Sequence, residues 1–318
     1  MTYAIDTRRL GKYYGSDRGV VDLDLQVTEG EVFGFLGPNG AGKTTAIRLL
    51  LDLIRPSSGS ARVLGLDSVR GSLQIRRRTG YLPGELSLYG RLTGEQNLRY
   101  FANLQGGVEW PYVTTIAERL DCDLSRPVRD LSTGNKRKLG LLQALMMRPE
   151  LLILDEPTVG LDPLVQHEFY RLVEESRQAG QTIFLSSHVL PEVQRVCDRV
   201  GFIRAGELVA VEDVATIVSK AIRELEVVFA TPVAPQALAG VIGVSDVSVS
   251  GNGLRLKVAG PFDPLIKKLA GFEVVSLTSR EPDLEDLFLA FYGEGTGGER
   301  PTAGGADARA HGEVRGAS

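Results

Sequence analysis

The stretch Gly37-Pro38-Asn39-Gly40-Ala41-Gly42-Lys43-Thr44-Thr45 combines small residues, one lysine and two hydroxyls in a single unbroken run. The spacing Gly37-x4-Gly42-Lys43-Thr44 suits a cradle for phosphate. Glycines let the backbone curl until successive N–H groups face inward, and a following helix N-terminus adds a favourable dipole. In such a cradle Lys43 reaches the β- and γ-phosphates of a nucleotide and Thr44 offers its hydroxyl to Mg2+. Asp155 and Glu156 close the apolar run Leu151-Leu152-Ile153-Leu154. Asp155 is suited to hold Mg2+, directly or through water, and Glu156 to polarise an attacking water. Two carboxylates at a strand end mean little alone. Beside a phosphate cradle they supply the rest of a phosphoryl-transfer site.

Positioning these groups requires particular elements. Glu31 to Leu36 reads as a compact apolar strand running into the cradle, and from Thr44 the spacing turns helical. Ile47, Leu50, Leu51 and Ile54 share one face until Pro56-Ser57-Ser58-Gly59 breaks the pattern. Leu151 to Leu154 and Thr182-Ile183-Phe184-Leu185 read as fully buried strands either side of a helix from about 164 to 178. Strand, helix, strand at that spacing is a right-handed crossover, so the core is expected to be α/β with a parallel sheet. Residues 1–28 read as short strands, with Val21, Leu23, Leu25 and Val27 alternating, and about 90 to 147 as helix-rich. Beyond about 220, Glu224 to Phe229, Val244 to Val249 and Leu254 to Val258 read as strands, with Asn252-Gly253 as a hairpin signal. This divides the chain into 1–220, with a helical subdomain over about 85–150, a small α+β domain over 221–293, and a tail from Glu294 to Ser318. The tail has almost nothing to bury and is expected to be disordered.

Composition narrows the function classes. The 318 residues suit one large domain and a smaller one, and 43% hydrophobic with 24% charged residues describes an ordinary soluble globular protein. The 36 basic against 40 acidic residues give a net charge of −4, which argues against bulk nucleic-acid binding, although a local basic patch stays open. Cys122 and Cys197 have no metal or redox spacing and read as unpaired thiols of a reducing compartment. No apolar run approaches the roughly 18–20 residues that span a bilayer. Asp6 interrupts any signal-like start. A cytoplasmic protein is expected, with any membrane role borrowed from a partner chain.

From about Leu10 to Ile217 these residues resemble the ABC ATPase family. Besides the P-loop, Leu131-Ser132-Thr133-Gly134-Asn135 is similar to its LSGGQ signature, Gly160-Leu161-Asp162 to its D-loop and Ser187-His188 to its switch histidine. Tyr14, in Lys12-Tyr13-Tyr14-Gly15, sits where the family places an adenine-stacking aromatic, with Tyr13 as the alternative. The resemblance implies a P-loop ATPase in which two domains dimerise head to tail, each ATP lying between one P-loop and the other chain's signature. Ser132 and the N–H groups around Gly134 would then donate to the partner's γ-phosphate, and His188 would help align Glu156 and water. The motifs occur once and supply both half-sites in one sequence, which favours a homodimer, with a heteromeric ATPase partner as the alternative.

Two motifs depart from the family pattern. Tyr81-Leu82-Pro83-Gly84-Glu85 occupies the Q-loop, where Gly84 stands in place of glutamine, and the signature has Thr133 and Asn135 for glycine and glutamine. The finer likeness is to ABC-2-type exporter ATPases, the group that includes daunorubicin-type antibiotic-resistance pumps. It is carried by Gly34 to Gly42, by Gly80 to Glu85 with Leu88-Tyr89, and by Pro282 to Leu289. That group implies a peripheral motor on the cytoplasmic face of the membrane, joined to a separate ABC-2-type permease. A coupling helix of the permease would enter a groove bordered by residues 84–100. Leu88, Tyr89 and Leu92 would either line it or simply pack the helical subdomain. A soluble ABC ATPase acting on ribosomes or DNA is the competing reading. A single cassette, with no room for a long coiled coil between Lys43 and Ser132, speaks against it. An importer or regulatory subunit is a third, and the small C-terminal domain is the feature that discriminates.

Overall fold

The computed structural model describes residues 2–220 and 222–280. The chain opens with β1 (Tyr3–Tyr14), β2 (Asp17–Leu23), β3 (Gln26–Thr28) and β4 (Val32–Leu36), then α1 (Lys43–Leu50), β5 (Ser58–Val63), β6 (Leu66–Asp67), α2 (Ser72–Arg77) and β7 (Thr79–Leu82). A helical stretch follows, α3 (Gly94–Leu104), α4 (Trp110–Arg119) and α5 (Thr133–Leu145). The chain then alternates through β8 (Leu151–Asp155), α6 (Pro163–Gln178), β9 (Thr182–Ser187), α7 (Leu190–Val196), β10 (Arg199–Arg204), β11 (Glu207–Asp213) and α8 (Val214–Lys220). Last come β12 (Ile222–Phe229), β13 (Val244–Ser250), β14 (Gly253–Ala259), α9 (Asp263–Leu269) and β15 (Val274–Arg280).

The central sheet has the order β11-β10-β4-β9-β8-β7, parallel throughout except for β11 at one edge. Every residue of β4, β8 and β9 is buried, which is why these strands read as unbroken apolar runs. Side chains alternate between two cores, as the two-residue strand period requires. Leu152, Leu154, Ile183 and Leu185 face the helical side with Leu139, Leu142 and Phe169. Leu151, Ile153 and Phe184 face Ile47, Leu50, Phe33 and Phe35. Phe184 stacks on Phe33 with ring centroids 5.9 Å apart. An antiparallel sheet, β2-β1-β5-β6 with β3 against β1, completes this part, so the expected short strands near the N-terminus are present.

The C-terminal sheet, β13-β14-β12-β15, is antiparallel and has its own core. Leu225, Val227 and Phe229 of β12 and Leu254, Leu256 and Val258 of β14 pack with Leu265 and Leu269 of α9. The hairpin lies one residue earlier than Asn252-Gly253. Ser250 pairs with Gly253, so the turn residues are Gly251 and Asn252, with positive φ at Gly251.

The first helix is shorter than the periodicity predicts. Asp52, at φ 53°, follows the last helical turn, its N–H donates to Leu49 O, and the Leu53 N–H closes on Arg48 O at 2.8 Å. That is a Schellman end. It carries Asp where glycine would have signalled it, so Ile54 lies beyond the helix and packs on the same core from a turn. The start of α3 is fixed by side chains of its own first turn. Thr93 Oγ1 accepts from Gln96 N–H while Gln96 Oε1 accepts from Thr93 N–H, a reciprocal cap. The Pro282–Leu289 likeness and the tail from Glu294 lie outside the described residues. Among the described residues no helix is long and apolar enough to cross a membrane.

Candidate active site

β4 delivers the chain into the P-loop, and Gly42 turns it into α1. Its φ is 107°, and a Cβ there would stand 2.4 Å from Gly19 O, so only glycine fits. Lys43 follows as the first residue of α1 and is 6% exposed. Its Nζ donates to Gly37 O at 2.5 Å and to Pro38 O at 3.2 Å, and forms an ion pair with Glu156 Oε1 at 3.0 Å. A cleft opens above, lined by Pro38, Asn39, Gly40, Ala41, Gly42, Lys43, Thr44 and Thr45 together with Gly19 and Glu156.

The adjacent strands bring the acidic residues to this cleft. Asp155 is fully buried at the end of β8. Thr44 Oγ1 donates to its Oδ2 at 2.8 Å, and Ser186 Oγ to its Oδ1 at 2.6 Å. Glu156 has a left-handed backbone, φ 51°, fixed in part by its N–H donating to Ser186 Oγ at 3.0 Å. One carboxylate oxygen, Oε2, lies 2.8 Å from His188 Nδ1. The other, Oε1, is buried and charge-paired with Lys43 but has no hydrogen-bond partner. Desolvated acceptors are costly to leave unpaired, and this one belongs to the cleft lining, where a water or hydroxyl could donate to it. The structure thus brings Lys43, Thr44, Asp155, Glu156 and His188 into one connected network.

Tyr14 is not among the lining residues of this cleft but neighbours Gly19, which is. Gly19 lies between its ring and Thr45, since a Cβ on Gly19 would meet Tyr14 Cε2 at 2.9 Å and Thr45 Cγ2 at 3.2 Å. The Tyr14 ring is half exposed, with Lys12 Nζ 5.3 Å from its centroid. Tyr13 instead donates its N–H to Ser57 and lies beside Gly11.

Ser132, Gly134 and Asp162 are not brought to this cleft; none of them is among its lining residues. Ser132 caps α5, its Oγ accepting from Asn135 N–H at 3.2 Å. Gly134 approaches the D-loop so closely that a Cβ would be 2.7 Å from Gly160 O. Asp162 caps α6 by accepting from Leu164 and Val165 N–H. The Val165 N–H holds its carboxyl below the ordinary range.

A separate groove opens between the α/β core and the helical segment, lined by Leu51, Leu53, Arg76, Tyr81, Phe101 and Met147, among others. Burial, with a smaller push from the Asp155 charge, raises the Tyr81 hydroxyl to about 12. Leu88, Tyr89 and Leu92, expected either to line a permease groove or to pack the helical subdomain, do not line this groove. Leu88 packs against the large core, and Tyr89 stacks edge-on with Tyr100, ring centroids 5.1 Å apart.

Sequence reasoning missed three side chains of the network. Ser186 bridges Asp155 Oδ1 and Glu156 N–H, and Glu192 accepts from Thr158 and Ser187 hydroxyls. Arg137 contacts the main chain of both acidic residues. Ser186 precedes the Ser187-His188 pair and was findable by position. Arg137 lies in a stretch read only as helix-rich and Glu192 on a helix that the sequence reading did not identify, and no local signal marks either.

A P-loop at the end of a buried parallel strand, facing an Asp-Glu pair on the next strand but one, defines a P-loop nucleotide hydrolase. The model of the ABC transporter family matches residues 20–159, a range that stops short of Asp162 and His188 and begins after Tyr14. The bacitracin transport ATP-binding protein BcrA of Bacillus licheniformis is 35% identical over 309 residues, 93% of this chain and 99% of its own. The Nod factor export ATP-binding protein I of Cupriavidus pinatubonensis is 35% identical over 300 residues, 92% of each chain. A dimeric, post-hydrolysis ATP-binding cassette solved with ADP and Pi superposes with a TM-score of 0.61 at 19% identity, covering 66% of this chain and 98% of that one. The chain belongs to the ABC transporter family, as an ATP-binding and ATP-hydrolysing subunit.

Proposed function

We propose that this chain is the motor of a membrane exporter in which two copies close head to tail around ATP and drive a separate permease. The observation that carries the catalytic part is Glu156, held at the P-loop cleft between Lys43, ion-paired with its Oε1, and His188, beside its Oε2. In this reading Lys43 leaves its loop carbonyls for the β- and γ-phosphates, while the N–H groups from Asn39 to Thr45 cradle phosphate oxygens. Release of Glu156 from Lys43 frees the carboxylate to orient water, and His188 keeps it facing the γ-phosphate. Tyr14 stacks on the adenine.

Thr44 and Asp155 fit Mg2+. Both offer oxygen, they are 2.8 Å apart, and among the described residues no group of three or more His, Cys, Asp or Glu forms an all-protein cage. Thr44 and Asp155 would hold the ion, which would supply positive charge beside the phosphates.

Ser132, Gly134 and Asp162 serve the partner's ATP. Within one chain they stand outside the cleft, and a second copy would bring them over it. The groove lined by Leu51, Leu53, Tyr81 and Phe101 would receive the ABC-2-type permease on the cytoplasmic face of the membrane. Residues 1–220 form the motor cassette and 221–293 an appended domain. Relatives named for bacitracin transport and Nod factor export, matched along nearly their full length, support export. Antibiotic or drug efflux is the cargo class they favour.

The test is light scattering on Glu156→Gln with and without Mg-ATP, beside wild-type turnover. An ATP-dependent shift from monomer to dimer is expected, with hydrolysis present in wild type and lost in the variant. A wild type that hydrolyses ATP while the variant stays monomeric in ATP sinks the composite site.

A further inference from the structure

The two walls of the groove converge on the catalytic strand. β7 contributes Thr79, Gly80 and Tyr81 and continues into Pro83-Gly84; α5 contributes Gln143 and Ala144 from its far end. Where they meet, Arg137 of α5 is 5% exposed. Its Nη1 donates to Pro83 O at 2.7 Å and Gly84 O at 3.1 Å, and its Nη2 donates to Asp155 O and, at 2.6 Å, to Glu156 O. One guanidinium therefore ties four main-chain carbonyls of two separate loops.

Such a group is costly to build. Its Nε is buried without a partner, and desolvation lowers its pKa against the pull of Asp155 and Glu156. Its placement explains another unfavourable feature. Glu156 holds φ 51°, a conformation that costs free energy and persists only where surroundings over-determine it. Ser186 fixes the N–H side of Glu156 and Arg137 fixes its carbonyl. With both ends of the residue held, the carboxylate falls between Lys43 and His188. Gly84 has no side chain to reach this centre, and even a Cβ would stand 3.1 Å from Asp155 Oδ2. The Pro83-Gly84 segment touches the acidic pair instead through the Arg137 bridge.

We propose that Arg137 is a positioning residue that sets the Glu156 carboxylate and makes that setting depend on the Pro83-Gly84 segment beside the groove. This rests on the reading of Glu156 as the group that orients water. The bridge acts on the geometry of the attack and not on nucleotide capture, since Arg137 does not line the P-loop cleft.

The experiment compares full-length wild type, Arg137→Met, Arg137→Lys and the Arg137→Met/Glu156→Gln double variant in steady-state and single-turnover ATP hydrolysis, with equilibrium nucleotide binding and thermal melting alongside. Arg137→Met is expected to lower kcat by about tenfold or more while ATP KM and affinity stay within about twofold. Arg137→Lys, which keeps the charge but cannot span all four carbonyls, is expected to recover part of that loss. The double variant is expected to turn over no more slowly than Glu156→Gln alone, because Arg137 acts through that carboxylate. A kcat of Arg137→Met near wild type overturns the proposal. So does a parallel loss of affinity and turnover, or a double variant slower by the product of the single effects. Should Arg137→Met fail to fold, Arg137→Lys decides, and wild-type kcat in that variant overturns the proposal. A wild type inert toward ATP overturns the ATPase reading and this one together, whereas defects confined to the Arg137 variants concern Arg137 alone.

Discussion

At the P-loop end, Thr44, Asp155 and Ser186 are joined by hydrogen bonds, Lys43 and Glu156 by an ion pair, and Glu156 and His188 by a hydrogen bond, in a largely buried chain of contacts. At the signature end, Ser132 and Asp162 are exposed and their side chains bond only backbone N–H groups of their own helices. The first end is preorganised within one chain; its groups are paired with one another until phosphate displaces them. At the second end the Ser132 hydroxyl and the Asp162 carboxylate are exposed helix caps outside the P-loop cleft of their own chain. The two-chain mechanism proposed above would give this second end its substrate-facing role. The same contrast implies different penalties for substitution.

The largest penalty is expected at Lys43. Lys43→Ala strands Glu156 and removes the phosphate counter-charge, so ATP affinity should fall by about 2–5 kcal/mol, the usual cost of truncating a buried charge pair. Isothermal titration of the isolated chain measures it, and an unchanged affinity would break the comparison at its stronger end. Gly134→Ala comes next. Its methyl would meet Gly160 O at 2.7 Å and push the signature from the D-loop. Turnover should drop by about tenfold while single-chain ATP affinity is kept. Equal losses in both quantities would mean the two ends are not separable.

Ser132→Ala removes a helix cap as well as a candidate phosphate donor. It should cost about 1 kcal/mol in chemical denaturation and reduce ATP-driven dimerisation without weakening ATP binding to the monomer. The smallest effect concerns Asp162. Because backbone N–H groups lower its folded-state pKa below 3.8, the stability it adds is fully present above that value and is lost as pH falls through the lower folded value. The gap in denaturation midpoint between wild type and Asp162→Ala should therefore shrink on acidification from neutral pH. A gap that does not change with pH would assign the effect to the α6 sequence and not to the charge.

The C-terminal sheet shows a different relation between sequence and structure. Leu225, Val227, Phe229, Leu254, Leu256 and Val258 announce their strands by simple alternation and bury as expected. The same alternation does not say what the sheet is for. In the cassette, by contrast, function was legible because phosphate binding demands residue types at fixed spacing over a few positions. The Schellman end at Asp52 was not legible, since glycine usually marks it and this chain uses Asp. The choice at Leu88, Tyr89 and Leu92 between lining a groove and packing the helical subdomain stayed open for a related reason. Apolar residues at helical spacing do not reveal which side faces a core and which a groove.

The sequence by itself determined the P-loop, the Asp155-Glu156 pair and the parallel α/β core, because each depends on local spacing or on strand burial; His188 was marked only through the family resemblance. Only the tertiary structure decided which groups share a hydrogen-bond network. Ser186 and Arg137 stand 31 and 18 positions from Asp155, and sheet order and helix packing bring them to it. Contacts over such separations leave no periodic trace in the chain, since they are made where elements converge and not along any one of them.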